Sequence, residues 1–315
     1  MKKRLLLVRI NLVLIVCITT GTLFPQTKFW EESSAALKGA IDVHVHTSPD
    51  SGPRSLNAFE LARIARRYGM RALVFKNHYT HTASLAYLVS QAVPGIEAYG
   101  GITLNNTVGG INPNAVEHMA LTTGRHGRVV WMPTRDSEHS SNPLKPNPNV
   151  VSISRNGELL NEVKEVFAIM VRENLALATG HSSPEESLLL IREARAMGID
   201  RVSVTHAGDN GMTMEQQVEA ARLGAYLEYD FNPLLPADTG KAKPKGGLPI
   251  ETLVSFIRAV GTANVILSSD LGQELNPIHT DGMISFIHIL KGQGFTMEEI
   301  GQMIKINPAK FLGLE

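Results

Sequence analysis

An aspartate and two histidines alternate with aliphatic residues in the run Ile-Asp-Val-His-Val-His at positions 41–46. The aliphatic residues predict a β-strand, in which side chains repeat every two positions, so we expect Asp42, His44 and His46 to share one face. Two imidazoles at the end of a strand make half of a divalent-metal site. The plainer interpretation is a pair of hydrogen-bonded histidines that happen to alternate.

The elements that must position these residues follow a regular repeat of apolar strand-like runs and amphipathic helical stretches. The predicted strands cover residues 40–46, 71–76, 97–104, 128–132, 175–179, 201–205, 225–229 and 264–268. The predicted helices cover residues 56–68, 83–92, 114–123, 159–173, 184–197, 214–223, 248–260, 280–292 and 297–306. Eight strands, each followed by a helix, predict an α/β fold, a (β/α)8 barrel of TIM type, as a single domain over residues 38–315. A doubly wound open sheet fits less well, because the chain has no glycine-rich dinucleotide turn.

Polar residues collect where these strands end, which is where a barrel of this type places its chemistry. At least five of the eight predicted strands end in a residue that can ligate zinc, and chance rarely arranges that register. The strand-end residues are His44, His46, Lys76, Asn77, His78, Asn105, Asn106, Thr134, Arg135, Asp136, His181, His206, Ser269 and Asp270.

The order His-x-His, Lys, His, His, Asp along these strands resembles that of the amidohydrolase superfamily of metal-dependent hydrolases. The resemblance covers residues 40–315 in architecture and ligand order, and the segments Val-Phe-Lys-Asn-His, Ala-Thr-Gly-His and Ser-Ser-Asp-Leu-Gly-Gln resemble a branch that brings no known substrate. It implies an enzyme in which a metal-activated water attacks an amide, ester or lactone-type carbonyl. It also implies two divalent metals, Zn²⁺ first, with iron, manganese and nickel as alternatives.

The resemblance assigns roles to five residues. His44 and His46 would hold the more buried metal, and His181 and His206 the more exposed one. Asp270 would ligate a metal and act as general base and acid for the bridging water. Two metals lower the pKa of that water, so that hydroxide exists at neutral pH.

Lys76 has three open roles. Carboxylated by carbon dioxide, it would become a carbamate (a carboxylysine) that bridges the two metals. The superfamily often places that lysine on the fourth strand, whereas here it follows the second. Lys76 could instead stay cationic and bind an anionic substrate, or His78 could be the ligand.

His78, Asn105 and Arg135 are the candidate substrate contacts. Arg135 could clamp a carboxylate or phosphate in bidentate fashion or be a solvated loop arginine. Asn105 could orient a substrate or merely end a strand, and Asp230 is either a substrate contact or a turn aspartate. Four histidines have no strand-end position and are interpreted as ordinary surface or core residues: His126, His139, His279 and His288.

Other functions remain open on the same residues. The opening motif also resembles that of the polymerase-and-histidinol-phosphatase (PHP) type of phosphoesterase, a three-metal enzyme with a seven-stranded barrel, and residues 94–97 resemble its glutamate-bearing segment. Eight strands and the Ser-Ser-Asp-Leu-Gly ending around Asp270 favour the amidohydrolase interpretation. A one-metal decarboxylase or lyase and a non-catalytic exported binding protein are the further alternatives. A binding role gives no reason to keep Asp270 as a base.

Composition limits the partners of this chain. Of its 315 residues 43% are hydrophobic, and 30 basic residues balance 30 acidic ones, with no basic patch outside the extreme N-terminus. We therefore expect a small-molecule substrate and no nucleic acid. The sequence is compatible with a homo-oligomer. Substrate specificity is expected in two long loops, at residues 133–148 and 232–247.

The N-terminal residues resemble a targeting signal. Residues 1–27 begin with Lys2, Lys3 and Arg4 and continue with a mostly apolar stretch, which resembles a secretory signal peptide, with an uncleaved anchor as the main competitor. We therefore expect an exported protein, periplasmic or extracellular, that touches a membrane only through this segment. The single cysteine, Cys17, lies within it.

Overall fold

A computed structural model describes residues 31–140, 148–235 and 248–315. The leader predicted for residues 1–27 lies outside the described residues, and the division into leader and barrel stays a prediction. In the described ranges, no helix combines the length and the apolar character that crossing a bilayer requires.

Eight parallel strands form one sheet in the described part of the chain, in the order β1-β2-β3-β4-β7-β8-β9-β10. Their bounds are β1 (Ile41–Val45), β2 (Ala72–Phe75), β3 (Glu97–Thr103), β4 (Gly127–Trp131), β7 (Ala176–Ala178), β8 (Val202–Val204), β9 (Tyr226–Asp230) and β10 (Val265–Ser268). The backbone N–H of Asp270 donates to His44 O and that of His46 donates to Leu271 O, so the residues after β10 close the sheet against β1. The predicted (β/α)8 barrel is confirmed.

Helices surround the barrel between the strands. Their bounds are α1 (Ala58–Arg67), α2 (Ala83–Ala92), α3 (Pro113–Leu121), α4 (Asn161–Glu173), α5 (Pro184–Met197), α6 (Met214–Arg222), α7 (Ile250–Val260), α8 (His279–Gly292), α9 (Met297–Gly301) and α10 (Asn307–Leu312). Four of the helices begin with a capping box, at Asn57, Ser183, Thr213 and Thr296. In each, the N-cap side chain accepts from the N3 backbone N–H, and the N3 side chain accepts from the N-cap backbone N–H.

Two local structures differ from the prediction. The helix predicted for residues 297–306 divides into α9 and a π-helical turn, Gln302–Ile306, and then continues as α10, because Pro308 is tolerated in a first helical turn. A short hairpin, β5 (Ser154–Arg155) with β6 (Glu158–Leu159), was not predicted. The helix α10 packs against interior residues of the barrel, and thereby closes the end opposite the predicted site.

The first strand departs from simple alternation, and the expectation that Asp42 shares a face with His44 and His46 is wrong. The pairing of β1 with β2 shifts register between Asp42 and Val45, and Val43 packs with alternate residues of the other strands inside the barrel. Asp42 Oδ1 instead accepts hydrogen bonds from Ser269 N (3.0 Å) and His44 N (3.3 Å). Asp42 therefore ties β1 to the end of β10.

Gly272 lies in the segment that joins β10 to α8, with φ at +124°. A Cβ at this position would lie 1.9 Å from the carbonyl oxygen of His46. We therefore expect Gly272→Ala to lower the free energy of unfolding by about 3 kcal/mol, measured by chemical denaturation. Gly292→Ala is the matched control, because a Cβ at that helix end meets no other atom within 4 Å. Equal unfolding midpoints for the two variants would contradict this prediction.

Candidate metal centre

The two strands that close the barrel bring His44, His46 and Asp270 together at its carboxyl end. Asp270 Oδ1 lies 3.1 Å from His44 Nε2 and 3.0 Å from His46 Nε2. Both histidines are buried, and Asp270 is only slightly exposed. The structure therefore places three of the predicted ligands within one coordination shell of each other.

His206 and His181 extend this group to the other side of the barrel mouth. The His206 ring centre lies 5.2 Å from that of His44 and 5.1 Å from that of His181. His44, His206 and Asp270 each offer a ligand atom within 4.8 Å of the other two. His206 and Asp270 have φ values of 56° and 48°, which non-glycine residues rarely adopt. Such strained backbones cluster at functional sites.

The hydrogen bonds on the outer ring nitrogens fix which nitrogen of each histidine faces the centre. His44 Nδ1 lies 2.9 Å from Glu228 Oε1, His46 Nδ1 lies 3.0 Å from the carbonyl oxygen of Lys76, and His206 Nδ1 lies 2.5 Å from Asp230 Oδ2. Carbonyl and carboxylate oxygens only accept, so we infer that Nδ1 carries the proton in each ring. Each ring therefore directs its Nε2 at the centre.

This assignment creates a close contact between two acceptors. With the proton on Nδ1 of a neutral His46 ring, Nε2 and Asp270 Oδ1 are both acceptors, and they lie 3.0 Å apart. Burial lowers the pKa of His46 to about 3, so protonation of the ring does not relieve the repulsion at neutral pH. A cation held by His46 and Asp270 would turn this repulsion into two favourable contacts, and imidazole with carboxylate is a donor set that Zn²⁺ accepts. The residues present therefore fit a divalent metal.

Lys76 lies in the middle of this group, directly after β2. Its Nζ is 3.1 Å from His44 Nε2 and 5.5 Å from the centre of the Trp131 ring. The side chain is buried, and burial lowers the pKa of the amine from its usual value although the Asp270 carboxylate acts to raise it. The lysine predicted at the end of the second strand is thus inside the centre, and its amine is shifted toward the neutral form.

The three candidate substrate contacts are placed differently from one another. His78 stacks on His46, with ring centres 5.0 Å apart, and its Nδ1 is 2.8 Å from Thr134 Oγ1. Asn105 is buried and uses its whole amide on loop atoms: Nδ2 donates to His78 O and Thr134 Oγ1, and Oδ1 accepts from two backbone N–H groups. Asn105 therefore orders these loops, whereas the sequence predicted that it contacts a substrate. Arg135 is exposed at the rim of the barrel, and its positive charge contributes to lowering the pKa of both His78 and Lys76.

Sequence reasoning missed Glu228 and Asn232, which support the centre, and interpreted Asp230 only as a substrate contact or a turn aspartate. Glu228 is buried in the middle of β9 and contacts His44, while Asp230 is the buried last residue of that strand and contacts His206. Asn232 donates to Asp270 Oδ2 at 2.8 Å. Two acidic residues on one face of a buried parallel strand were a readable signal, because such strands are usually apolar throughout.

Two expectations outside the centre have clear outcomes. Glu97, the glutamate of the segment that resembles PHP phosphoesterases, begins β3 and pairs with Arg71 at 3.1 Å, at the end of the barrel opposite the metal centre. That match is wrong. His279 is a buried core histidine as interpreted: its Nε2 lies 2.9 Å from His46 O, and burial lowers its pKa to about 4.

A cavity lies beside the histidines of the metal centre, and none of them lines it. It measures about 590 Å³ and is lined by Lys76 and Tyr79 together with Leu85, Ile102 and Val108. The cavity lies between the loops after β2 and β3, and Lys76 forms part of its wall.

Comparisons with known proteins add a family and a fold. A family described as of unknown function, DUF6282, matches residues 39–228. A phosphotriesterase-related protein of Drosophila melanogaster is 22% identical over 270 residues, which cover 81% of this chain and 69% of the relative.

Three solved structures are similar to this chain in fold. An organophosphorus hydrolase from Deinococcus radiodurans has a TM-score of 0.61 at 16% identity, covering 89% of this chain and 94% of the other. An amidohydrolase from Pseudomonas aeruginosa has a TM-score of 0.59 at 13% identity, covering 90% and 98%. A mutant of a PTE-like lactonase from Deinococcus radiodurans has a TM-score of 0.57 at 17% identity, covering 89% and 97%. The barrel expected from the resemblance to the amidohydrolase superfamily is thus shared with these proteins.

Proposed function

The chain belongs to the family of unknown function DUF6282, and from its site we propose that it is a metal-dependent hydrolase acting on an amide, ester or lactone-type carbonyl. One observation carries the proposal: the Nε2 atoms of His44 and His46 converge on Asp270 Oδ1 at 3.1 and 3.0 Å in a buried site. Two imidazoles and a carboxylate that converge on one point form a donor set that a divalent metal accepts.

Two Zn²⁺ ions would occupy positions held by His44 and His46 and by His181 and His206, with Asp270 as a further ligand. Bound divalent metals lower the pKa of water and polarise carbonyl oxygens, and so supply the nucleophile and the Lewis acid of a hydrolase. The chain's own residues must then supply a proton acceptor and a bridging anion.

Asp270 is the proton acceptor in this proposal. Burial favours its neutral acid, but the neighbouring His44 holds the pKa of this carboxyl well below its usual range, so it is ionised and able to accept. Asn232 donates to Oδ2 and thereby keeps Oδ1 directed at the two Nε2 atoms. A carboxylate held in that direction can take a proton from a nucleophile and return it to the leaving group.

Lys76 is the bridging anion in this proposal, as a carbamate. The neutral amine adds to carbon dioxide, a nitrogen–carbon bond forms, and one N–H proton leaves to solvent. The product is an anion whose two oxygens would be carried by the nitrogen that lies 3.1 Å from His44 Nε2. The burial and the lowered pKa of Lys76 support this reaction, because only the neutral amine reacts.

The names of the relatives favour a second candidate substrate class. The curated relative is phosphotriesterase-related, and a similar fold belongs to an organophosphorus hydrolase. A phosphotriester is neutral at the reacting centre, as a carboxylic ester is, and the same carboxylate can serve both reactions. Comparing kcat/KM on a lactone, an aryl ester, an N-acyl amide and a phosphotriester decides between the classes.

Metal content is the direct test of the proposal. We expect the full chain, purified without chelator, to hold about two equivalents of divalent metal, and hydrolysis to disappear with chelation and return with Zn²⁺. About three equivalents would indicate a phosphoesterase of the three-metal type, and one a mononuclear hydrolase or lyase. No metal after reloading would contradict the proposal and leave a binding protein.

We also propose that the chain is exported, on its basic and apolar first 27 residues. N-terminal sequencing of the protein from the exported fraction of its host would detect cleavage. Recovery of the full-length chain only in the cytosol would contradict export.

A further inference from the structure

Two carboxylates lie one layer below the candidate metal ligands. Glu228 and Asp230 are two residues apart on β9, so both side chains point into the barrel, and both are nearly fully buried. Glu228 Oε1 lies 2.9 Å from His44 Nδ1, and Asp230 Oδ2 lies 2.5 Å from His206 Nδ1. Each carboxylate therefore supports one histidine at hydrogen-bond distance, and the two histidines belong to different predicted metal positions. Asp230 Oδ1 also lies 3.6 Å from His44 Nδ1.

A single hydroxyl joins the two carboxylates. Ser268 is paired with Asp230 in the β9–β10 register, and its Oγ lies 2.8 Å from Glu228 Oε1 and 2.5 Å from Asp230 Oδ1. A hydroxyl has one hydrogen, so it donates to one carboxylate at a time. Without that shared partner, the two acidic groups would face each other directly in a buried site, which is unfavourable.

We propose that Glu228, Ser268 and Asp230 are positioning residues that hold His44 and His206 in the ring orientation required for metal binding, with Ser268 linking the two positions. This inference rests on the proposed function, because it assumes that His44 and His206 bind metals. Hydrogen bonds on the outer nitrogen of a ligand fix its tautomer and raise its basicity, and their loss typically lowers metal affinity 10- to 100-fold.

The chemistry assigns each residue a distinct effect. Glu228→Gln keeps the shape of the side chain but removes the charge beneath His44, and should weaken one metal position about tenfold. Asp230→Asn should weaken the other position by a similar factor through His206. Ser268→Ala removes the link and should weaken both positions by a smaller factor, about threefold.

The experiment is a titration of the metal-free full chain with Zn²⁺ against a chromophoric chelator, which gives two dissociation constants. Ser203→Ala is the matched control, since Ser203 is a buried serine on the neighbouring strand β8 whose Oγ contacts no partner among the described residues. The control should keep both constants. Circular dichroism of the metal-free proteins shows which variants fold.

The outcomes separate this inference from the proposed function. Wild-type protein that binds no Zn²⁺ would contradict the proposed function itself. Wild-type binding with both constants kept within twofold in Glu228→Gln, Asp230→Asn and Ser268→Ala would overturn the positioning role alone. If either acidic variant does not fold, Ser268→Ala decides, because it keeps both carboxylates: weakening of both constants supports the link, and unchanged constants overturn it.

Discussion

Asp270→Asn is expected to lower kcat by a factor of about 10³, with KM changed by less than about threefold. An asparagine keeps an oxygen ligand in the place of Oδ1, so binding of metal and substrate survives. The amide has no basic site for the proton of the nucleophile, which removes about 4 kcal/mol of transition-state stabilisation. The measurement is steady-state kinetics on the best substrate of the panel, with metal content determined for the same preparation.

The control for this variant is Asp200→Asn. Asp200 is an exposed aspartate that pairs with Arg195 at 2.8 Å on the outside of the barrel. It should leave kcat and KM unchanged. Activity of Asp270→Asn within about fivefold of wild type, at equal metal content, would remove Asp270 from the role of proton acceptor and with it the central step of the proposed reaction.

Lys76→Ala is expected to lose about half of the bound metal and to lower kcat at least 100-fold. Removal of the carbamate leaves the cations without the anion between them. A short carboxylic acid such as acetate or propionate fits the space that the side chain leaves, and should restore part of both metal content and activity. The measurements are elemental analysis and kcat as functions of carboxylate concentration.

Lys76→Arg separates the carbamate from the cationic role. Arginine keeps the positive charge but is always protonated and does not react with carbon dioxide. If Lys76 binds an anionic substrate as a cation, Lys76→Arg retains activity and added carboxylates do nothing for Lys76→Ala. If it is a carbamate, Lys76→Arg is as inactive as Lys76→Ala. Lys291→Ala, a change on the outer helix α8, serves as the unaffected control.

The architecture was predictable from the sequence because parallel barrel strands are buried on both faces and appear as short apolar runs between amphipathic helices. The polar residues at strand ends followed from the same pattern, since strand ends converge at one mouth. That is why His44, His181 and Asp270, far apart in the chain, were expected together.

What the sequence did not reveal depended on local geometry. Strict alternation placed Asp42 beside the histidines, but the register shift in β1 turns it toward Ser269. The Asn156-Gly157 turn of the β5–β6 hairpin has positive φ at both residues and was a readable hairpin signal that went unused. Asp230 was interpreted from its place after a predicted strand. Its partner His206 follows the neighbouring strand β8, and only the fold shows that the two side chains meet.

The seam of the barrel has a consequence for how this protein folds. His46 and Asp270 are 224 residues apart in the chain, and the contact between them forms only when the last strand docks on the first. Such long-range contacts form late, because the entropy of closing the intervening chain must be overcome first. A metal bound by His46 and Asp270 would bind the closed barrel and not the partly folded chain. It would therefore raise the free energy of unfolding in proportion to the logarithm of the metal concentration. The concentration of metal would therefore set the lifetime of the folded protein as well as its catalytic rate.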